Sequence, residues 1–565
     1  MARWLHGLGV SGGEAVGPVA RLASPPALPP STTVVVDAAG ETARASEALI
    51  GVAEDLQRRA STVTGAASDV LIAQSMIAGD PVLMDGVTAL IETGEDAPHA
   101  VDAAIAEHRR ALEAAGGYLA ERAADLNDIR DRAVAHLLGL PMPGVPDPGH
   151  PFVLVAVDLA PADTAGLDPT KVLAIVTERG GPTGHTAIIA KQLGIPAVTA
   201  CGDAVGLIDG QSVLVDGANG EVVADPGDEL IADAQRRRDA QAERRARSHG
   251  PGRTADGVSI PLLVNVGGPG DLALTSQADS EGVGLLRTEF IFLDRPTAPS
   301  FDEQVEAYRA VFDAFAGRRV VVRTLDVGAD KPLAYLPQGE EPNPALGVRG
   351  LRLAQANPAL LDDQLRAIAE AAAHGEADVW VMAPMVATAQ EAQAFAQAAR
   401  RHGLARVGVM IEVPSAALKA QQILEDVDFA SIGTNDLAQY TFAADRLAGE
   451  LAELLDPWQP ALLQLIAQSA AAGAQGNRPV GVCGEAASDP MLALVLVGLG
   501  ITSLSMAPAC LADVRTALSE RTVEECRALA GAALDASSAV AARAAVSELA
   551  RQQSVASAVV EPQPA

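Results

Sequence analysis

From Ser259 onwards, short apolar and β-branched segments alternate with amphipathic helical stretches. This alternation predicts eight strands, near residues 260–266, 283–286, 319–325, 379–383, 407–412, 429–432, 479–483 and 502–506. Eight strand–helix units over roughly 250 residues are typical of a closed (β/α)8 barrel, the TIM barrel. An open, doubly wound sheet remains the alternative, because it also alternates strands with helices.

Polar side chains follow several of these predicted strands at the point where each strand ends. Five strands end in such segments: RTEF at 287–290, RTLD at 323–326, EVP at 412–414, GTND at 433–436 and CGE at 483–485. In a TIM barrel the carboxyl ends of the strands meet at one face, where catalytic residues lie. A single polar residue of this kind is commonly a surface or capping group. Five strands ending this way predict an active site.

The residue types in these segments suit a phosphorylated carboxylate held together with a divalent metal. Planar guanidinium groups bind phosphate and carboxylate oxygens in pairs, so Arg287 and Arg323 are candidate anion-binding residues. Mg2+ is commonly held by one or two protein carboxylates together with substrate oxygens, which makes Glu412 and Asp436 the candidate metal ligands. Asn435 is a candidate hydrogen-bond donor beside that metal.

Cys483 is the candidate proton donor of this site. A thiol near its ordinary pKa stays mostly protonated at neutral pH and can give a proton to a reacting group. A small buried apolar side chain is the alternative interpretation of a free cysteine. The position of Cys483 at a strand end favours the proton donor.

A glycine-rich loop, GGPTGHT at 180–186, presents His185 between a predicted strand at 172–177 and a short helix that ends at Gly194. A neutral imidazole near pH 7 can accept a phosphoryl group. N–H groups at a helix start can stabilise the phosphorylated ring. A lone histidine is more commonly structural, but this setting favours a nucleophile. Because His185 and the strand-end residues lie far apart in the chain, the sequence predicts a phosphoryl group carried between domains.

Composition narrows the classes of partner and the cellular compartment. Acidic residues outnumber basic ones by 72 to 41, which gives a formal net charge of −31. Nucleic-acid binding requires a basic face and is therefore disfavoured. The four cysteines are scattered and form no CxxC pair, as is typical of reduced thiols in the cytoplasm. Neither a signal peptide nor a membrane-spanning segment is evident, so a cytoplasmic protein without membrane insertion is expected.

These motifs resemble those of Enzyme I of the bacterial phosphoenolpyruvate-dependent sugar phosphotransferase system, and the resemblance covers nearly the whole chain. Its segments are YLAERAADLNDI at 118–129, GGPTGHTAIIA at 180–190, GLLRTEF at 284–290, RTLDVGADK at 323–331, SIGTNDLAQY at 431–440 and GVCGE at 481–485. One departure is AQSM at 73–76, which lacks the histidine expected on the helix that docks the phosphocarrier.

The resemblance implies an enzyme that autophosphorylates on His185 from phosphoenolpyruvate, releases pyruvate, and phosphorylates a histidine of the phosphocarrier protein HPr. Cys483 would be the proton donor. The implied substrate-binding residues are Arg287, Arg323, Asn435, Asp436 and Arg446, and the implied Mg2+ ligands are Glu412 and Asp436.

The resemblance also implies a multidomain α/β organisation and a homodimer formed through the barrel. The expected regions are a phosphohistidine α/β domain (1–20 plus 145–227), an inserted helical phosphocarrier-binding subdomain of three or four helices (21–144), a linker helix (228–256), the phosphoenolpyruvate-binding TIM barrel (257–536) and a flexible carboxyl-terminal tail (537–565).

Three other interpretations have to be weighed. Pyruvate phosphate dikinase and phosphoenolpyruvate synthase share the histidine and the barrel but need a nucleotide-binding domain. The first 150 or so residues are mostly helical and lack a glycine-rich nucleotide loop. A nitrogen-regulatory paralogue would carry an additional sensor domain. A non-catalytic interaction protein would be expected to have lost His185, Cys483 or a metal carboxylate, and this chain retains all of them.

Overall fold

The computed structural model describes residues 2–22, 26–30, 37–60, 66–115, 123–140, 144–159, 167–181, 185–293, 295–328, 333–336, 339, 341–445 and 449–560. The chain divides into two compact units, Met1–Gln235 and Arg236–Ala565. Among the described residues, no helix combines the length and apolar character that crossing a bilayer requires.

The first unit contains an eight-stranded sheet with the strand order β1-β8-β7-β3-β4-β5-β6-β2. Its strands are β1 (Arg3–His6), β2 (Leu8–Ser11), β3 (Glu14–Arg21), β4 (Phe152–Ala156), β5 (Val172–Thr177), β6 (Ala197–Thr199), β7 (Ser212–Asp216) and β8 (Glu221–Ala224). Strands β3 to β6 pair in parallel. All five residues of β4 are buried, as is typical of a central parallel strand covered on both faces.

A helical segment separates β3 from β4. Its described helices are Ala38–Ala60, Ala66–Ala78, Pro81–Glu92, Ala97–Ala115 and Ala123–Leu138, which is more than the three or four that the sequence predicts. One break between helices is encoded locally, because the Asp80 side chain accepts a 2.8 Å hydrogen bond from the Val82 N–H and Pro81 occupies the first helical turn. The helices enclose their own apolar core, which includes Leu56, Val87 and Ile129.

The predicted linker helix is a single helix, Asp228–Arg247, with acidic residues in its first turn and arginines in its last turn. That distribution complements the helix dipole. Within the second unit, the Arg245 guanidinium donates two 2.6 Å hydrogen bonds to the carboxylate of Asp513. This two-pronged ion pair fixes the end of the helix against the barrel.

The second unit is a closed barrel of eight parallel strands, as the sequence predicts. The strands are β9 (Leu262–Val266), β10 (Gly282–Leu286), β11 (Arg319–Arg323), β12 (Asp378–Ala383), β13 (Arg406–Ile411), β14 (Phe429–Ile432), β15 (Val480–Val482) and β16 (Ser503–Met506). All neighbouring pairs are parallel, and β16 pairs with β9 to close the barrel. The open-sheet alternative is therefore wrong, and the chain is a multidomain α/β protein with a TIM barrel.

Helices surround the barrel and pack their apolar faces against it. The described α-helices of this region are Pro269–Gln277, Glu289–Phe292, Phe301–Ala314, Leu351–Ala356, Pro358–Ala373, Ala389–Arg401, Pro414–Leu418, Ala420–Asp426, Thr434–Phe442, Pro460–Gly476, Pro490–Gly498, Leu511–Ser519, Val523–Leu534 and Ala539–Val560. Three of them begin with a capping box, at Ser300, Thr388 and Thr522.

The carboxyl-terminal region differs from the flexible tail that the sequence predicts at 537–565. The structure has a helix here, Ala539–Val560, and residues 561–565 lie outside the described part of the chain. Ala542, Val546 and Ala550 recur every four residues and are buried in the barrel core. The stretch looks polar and low in complexity, but this spacing gives the helix one apolar face, and packing of that face orders it.

Candidate active site

Arg323 lies at the end of β11 and is held by carboxylates from two segments. Its Nη2 donates a 2.8 Å hydrogen bond to Glu289 Oε1, and its Nη1 lies 3.0 Å from Asp326 Oδ2. Glu289 follows β10 and also accepts from the Asp326 N–H at 3.0 Å. Arg323 is only 8% exposed. Two charge-assisted contacts of this kind fix the orientation of the guanidinium plane.

Arg349 is a second buried arginine, which the sequence analysis missed. Its Nε and Nη2 donate to the two carboxylate oxygens of Asp326 at 3.1 and 3.0 Å. Its Nη1 donates to Asp436 Oδ1 at 3.1 Å. Arg349 therefore connects the loop after β11 to the helix after β14. Arg349 belongs to a loop rather than a strand end, so a search of the predicted strand ends could not find it. The only sign of it in the sequence was a charged residue between glycines, in GVRG at 347–350.

Glu412 follows β13 and is almost completely buried, with 1% of its surface exposed. Its Oε2 accepts a 2.9 Å hydrogen bond from the backbone N–H of Met385. Met385 has a φ of +56°, a left-handed conformation that non-glycine residues rarely adopt. Backbone strain of this kind is concentrated at functional sites. Here it accompanies the N–H that holds the Glu412 carboxylate.

The helix Thr434–Phe442 begins directly after β14 and carries Asn435 and Asp436 in its first turn. Asp436 is 7% exposed, and Asn435 Oδ1 accepts from the Glu485 N–H at 3.3 Å. Gly484 permits this close approach, since a Cβ there would lie 2.0 Å from Thr434 Oγ1. The ends of β14 and β15 are thereby joined.

Two buried polar atoms in this region have no hydrogen-bond partner among the described residues, Arg323 Nε and Thr434 Oγ1. A buried donor without a partner costs about 1–3 kcal/mol. Both atoms belong to segments at the carboxyl ends of barrel strands, the face where barrel enzymes bind substrates. The site is therefore equipped to accept a ligand that carries hydrogen-bond acceptors.

Carboxylates outnumber guanidinium groups in this buried network. Burial lowers the pKa of Arg323, but the charges of Glu289, Asp326, Glu412 and Asp436 outweigh it and raise that pKa overall. Burial raises the pKa of Glu412, and the charges of Asp436 and Asp326 raise it further. Four carboxylates thus share the guanidinium groups of Arg323 and Arg349.

This donor set fits a divalent cation. Excess negative charge beside Glu412 and Asp436 is what an oxygen-ligated Mg2+ would neutralise. Within the described part of the chain, no group of three or more His, Cys, Asp or Glu side chains could hold a metal ion. Glu412 and Asp436 would therefore need oxygens of a bound ligand to complete the coordination of such a cation.

Cys483 follows β15 and is 4% exposed, in an interior cluster with Met382, Met410 and other apolar side chains. Its Sγ donates to the Ile432 carbonyl at 3.7 Å. Burial raises the pKa of the thiol, and a hydrogen bond from Ser431 lowers it by less, so that the pKa is about 11. The thiol is therefore protonated at neutral pH, as a proton donor must be.

The structure does not describe the other predicted site residues as part of this buried network. Arg287 follows β10 with an exposed side chain outside this buried network, although its backbone N–H donates to Val266 O at 3.0 Å. Arg446 lies outside the described residues, as does the loop 182–184. His185 begins the helix His185–Leu193 in the first unit, as predicted; its backbone is described and its side chain is not. The structure thus brings together Arg323, Glu412, Asn435, Asp436 and Cys483.

Replacing Arg349 by methionine should destabilise the barrel by about 3 kcal/mol or more, because a buried charge pair loses one partner while its carboxylates stay buried. The matched control is Arg366→Met, since Arg366 forms an ion pair with Asp363 in which both side chains are 54% exposed, and such pairs contribute about 0–1 kcal/mol. Tryptophan fluorescence during denaturation reports mainly on the barrel, which holds two of the three tryptophans. Equal effects of the two substitutions would contradict the prediction.

Comparison with known proteins gives three family models along the chain. The model described as PEP-utilising enzyme, PEP-binding domain, matches residues 241–523. The PEP-utilising mobile domain matches 148–220, and the PEP-utilising N-terminal model matches 6–122.

Full-length relatives are also similar. A phosphoenolpyruvate-protein phosphotransferase of Streptomyces coelicolor is 52% identical over 552 residues, covering 96% of this chain and 99% of that protein. Proteins of the same name from Haloferax volcanii and Bacillus subtilis are 40% and 36% identical. They cover 94% and 92% of this chain, and 97% and 95% of their own lengths.

Proposed function

Because the chain belongs to the Enzyme I family of phosphoenolpyruvate-protein phosphotransferases, we propose that it transfers the phosphoryl group of phosphoenolpyruvate to His185. In the second step of this proposal, the phosphoryl group passes to a histidine of the phosphocarrier protein HPr, which begins sugar uptake. The observation that carries the proposal is the buried arginine–carboxylate site at the carboxyl ends of the barrel strands.

Phosphoenolpyruvate carries a phosphate and a carboxylate, and the proposed binding residues match both. Arg323 offers an unpartnered Nε to an anionic oxygen, and the Glu289 and Asp326 contacts hold its guanidinium in one orientation. Asn435 lies at the start of the helix Thr434–Phe442, where backbone N–H groups favour anions. Arg287 and Arg446 complete the proposed set. Burial raises the pKa of the Cys483 thiol and the charge of Arg287 lowers it by less, as a cation close to this site would.

Glu412 and Asp436 would hold Mg2+ together with oxygens of the substrate. When bound, the metal supplies positive charge that offsets the charge developing on the departing enolate. Arg349 fixes the position of Asp436, and the Met385 N–H fixes that of Glu412. The chain thus holds both carboxylates in place before the substrate arrives, which lowers the reorganisation needed at the moment of reaction.

Transfer to His185 leaves the enolate of pyruvate, whose carbon must gain a proton. The thiol of Cys483 is the proposed donor, since its raised pKa of about 11 keeps it protonated at neutral pH. The S–H bond breaks as the new C–H bond of the pyruvate methyl group forms, and a thiolate is left on Cys483.

The remaining parts of the proposal concern the other regions. The sheet of residues 1–20 and 145–227 would carry the phosphohistidine, and the helical segment would dock HPr. On that segment Met76 is 72% exposed and Ile72 is 37% exposed, an apolar surface of the kind a protein partner covers. The barrel would form a homodimer, and the enzyme would act in the cytoplasm.

The direct test is to incubate the purified protein with phosphoenolpyruvate labelled in its phosphoryl group and with Mg2+, and to map the label. We expect one acid-labile phosphohistidine at residue 185, which added HPr removes. A label that is acid-stable, or that maps to the barrel, would exclude the proposal.

Replacing Cys483 by alanine should slow steady-state pyruvate formation by about 10²-fold, the usual size of a general-acid contribution. The first appearance of phosphohistidine should change much less, because the thiol acts after phosphoryl transfer. Rapid-quench labelling and solvent deuterium uptake into the pyruvate methyl group measure the two steps separately. Normal deuterium uptake in Cys483→Ala would make this thiol a packing residue.

A further inference from the structure

The helix Thr434–Phe442 carries a tyrosine hydroxyl that the proposed reaction leaves without a role. Tyr440 lies four residues after Asp436, so the two side chains lie on one face of this helix. The Tyr440 hydroxyl accepts a 3.4 Å hydrogen bond from Arg349 Nη1 and donates one to the carbonyl of Ala345. The partly buried tyrosine therefore connects two groups of the loop after β11 to the helix that carries Asp436.

Tyr440 and Asp436 share one nitrogen of Arg349. Nη1 carries two N–H groups, and it donates to Asp436 Oδ1 at 3.1 Å and to the Tyr440 hydroxyl at 3.4 Å. The other edge of the guanidinium, Nε with Nη2, is bonded to both carboxylate oxygens of Asp326. A planar guanidinium that is bonded along both edges is held against rotation. The Tyr440 hydroxyl thereby helps to fix the N–H group that holds Asp436.

The loop after β11 is held in shape by contacts of its own. Both carboxylate oxygens of Glu341 accept from the Val348 N–H at 3.1 Å. A Cβ at Gly347 would lie 1.2 Å from Glu341 Oε2, so only glycine permits this approach. Because these contacts are internal to the loop, they do not fix it to the helix after β14. The hydrogen bond from Tyr440 to the Ala345 carbonyl makes that connection.

The position of Asp436 matters because Mg2+ demands near-ideal octahedral geometry, with oxygens at about 2.0–2.1 Å. We propose that Tyr440 is a positioning residue: its hydroxyl orients Arg349, and Arg349 holds the Asp436 carboxylate where it binds the metal. This inference rests on the proposed function, in which Asp436 is a ligand of Mg2+. A hydroxyl that only stabilised the loop would not act on metal affinity through this one carboxylate.

The test compares Mg2+ binding by full-length proteins with and without the hydroxyl. Tyr440→Phe keeps the ring and removes only the oxygen. Mg2+ is titrated by calorimetry in the presence of phosphoenolpyruvate, in the His185→Ala background, where the proposed transfer cannot consume the substrate. We expect Tyr440→Phe to raise the Kd for Mg2+ about tenfold, which is the effect of losing one hydrogen bond to a charged group.

Labelling of the protein that retains His185 gives a second readout. The Mg2+ concentration that half-saturates phosphohistidine formation should rise about tenfold in Tyr440→Phe, while the rate at saturating Mg2+ stays within about threefold of wild type. Affinity and rate should separate in this way because excess Mg2+ fills the weakened site. Tryptophan fluorescence during denaturation checks that the variant is folded under the assay conditions.

Tyr335→Phe is the matched control. The Tyr335 hydroxyl is also partly buried in the barrel unit, but it donates to a backbone carbonyl, that of Phe292, at 3.2 Å. Removing this hydroxyl should leave the Kd for Mg2+ within about twofold of wild type, because independent sites contribute separately.

A double variant identifies the route by which Tyr440 acts. Once Asp436→Asn has removed the carboxylate, adding Tyr440→Phe should change the Kd for Mg2+ by less than about twofold, since the group through which the hydroxyl acts is gone.

Three outcomes would overturn the inference. Unchanged Mg2+ affinity in Tyr440→Phe, with phosphohistidine still formed by the wild type, would remove the role of Tyr440 and leave the proposed function standing. An equal loss of affinity with and without Asp436→Asn would show that the hydroxyl does not act through this carboxylate. Wild-type Mg2+ affinity in Asp436→Asn would remove the proposed metal ligand, and the inference with it.

Discussion

We expect His185→Ala to abolish incorporation of label from phosphoenolpyruvate, because no other side chain would replace the imidazole proposed to accept the phosphoryl group. The loss is complete rather than partial, since the covalent intermediate is itself the product of the first half-reaction. The acid-labile label after incubation with Mg2+ measures it. Phosphoenolpyruvate binding to the barrel should stay within about twofold of wild type, since the two proposed sites lie in separate units.

The matched control for this prediction is His150→Ala, in the same unit. His150 is an exposed histidine whose Nδ1 lies 3.0 Å from the Pro151 carbonyl, and it carries none of the proposed chemistry. It should label like wild type. Label that persists in His185→Ala, or that disappears in His150→Ala, would show that the phosphoryl acceptor lies elsewhere.

Glu412→Gln and Asp436→Asn should each slow phosphoryl transfer by about 10²-fold or more, because each would remove one of the two proposed protein ligands of Mg2+ and leave developing charge on the enolate less well neutralised. Mg2+ affinity, measured by titration of activity and by calorimetry, should fall in parallel. Glu370→Gln is the control, as Glu370 is an exposed helix residue paired with His374. Wild-type activity of the site variants at limiting Mg2+ would place the metal ligands elsewhere.

The raised pKa of Glu412 gives this prediction a pH signature. Burial and the neighbouring charges of Asp436 and Asp326 favour the protonated carboxyl when no cation is bound. Mg2+ needs the ionised form, so its binding releases a proton and its affinity falls as the pH falls through this raised pKa. In Glu412→Gln the amide cannot ionise, so this contribution to the pH dependence disappears.

The barrel and part of its site could be predicted from sequence because both depend on local patterns. A parallel strand that is buried on both faces appears in the sequence as a short apolar run. Counting these runs therefore predicted the eight strands. A residue such as Glu412 follows its strand directly, and the barrel then carries it to the common carboxyl face. Cys483 could be chosen on the same ground.

Sequence reasoning failed where position depends on a loop or on packing over a distance. Arg349 lies in the loop after β11, and only the folded chain brings it to Asp436, 87 residues further on. Arg287, chosen for its strand-end position, has an exposed side chain, and its role in binding stays a prediction. The helix Ala539–Val560 was mistaken for a flexible tail, because its alanines carry little signal until the barrel covers them.

Local patterns were enough to predict the order of strands and helices in the barrel and the residue types at the strand ends, because periodicity and turn residues act over a few positions. Long-range packing settles which charges share the buried site and which donors there stay without partners. Those properties depend on distances between segments far apart in the chain. Such distances are fixed only when the barrel closes and its side chains pack.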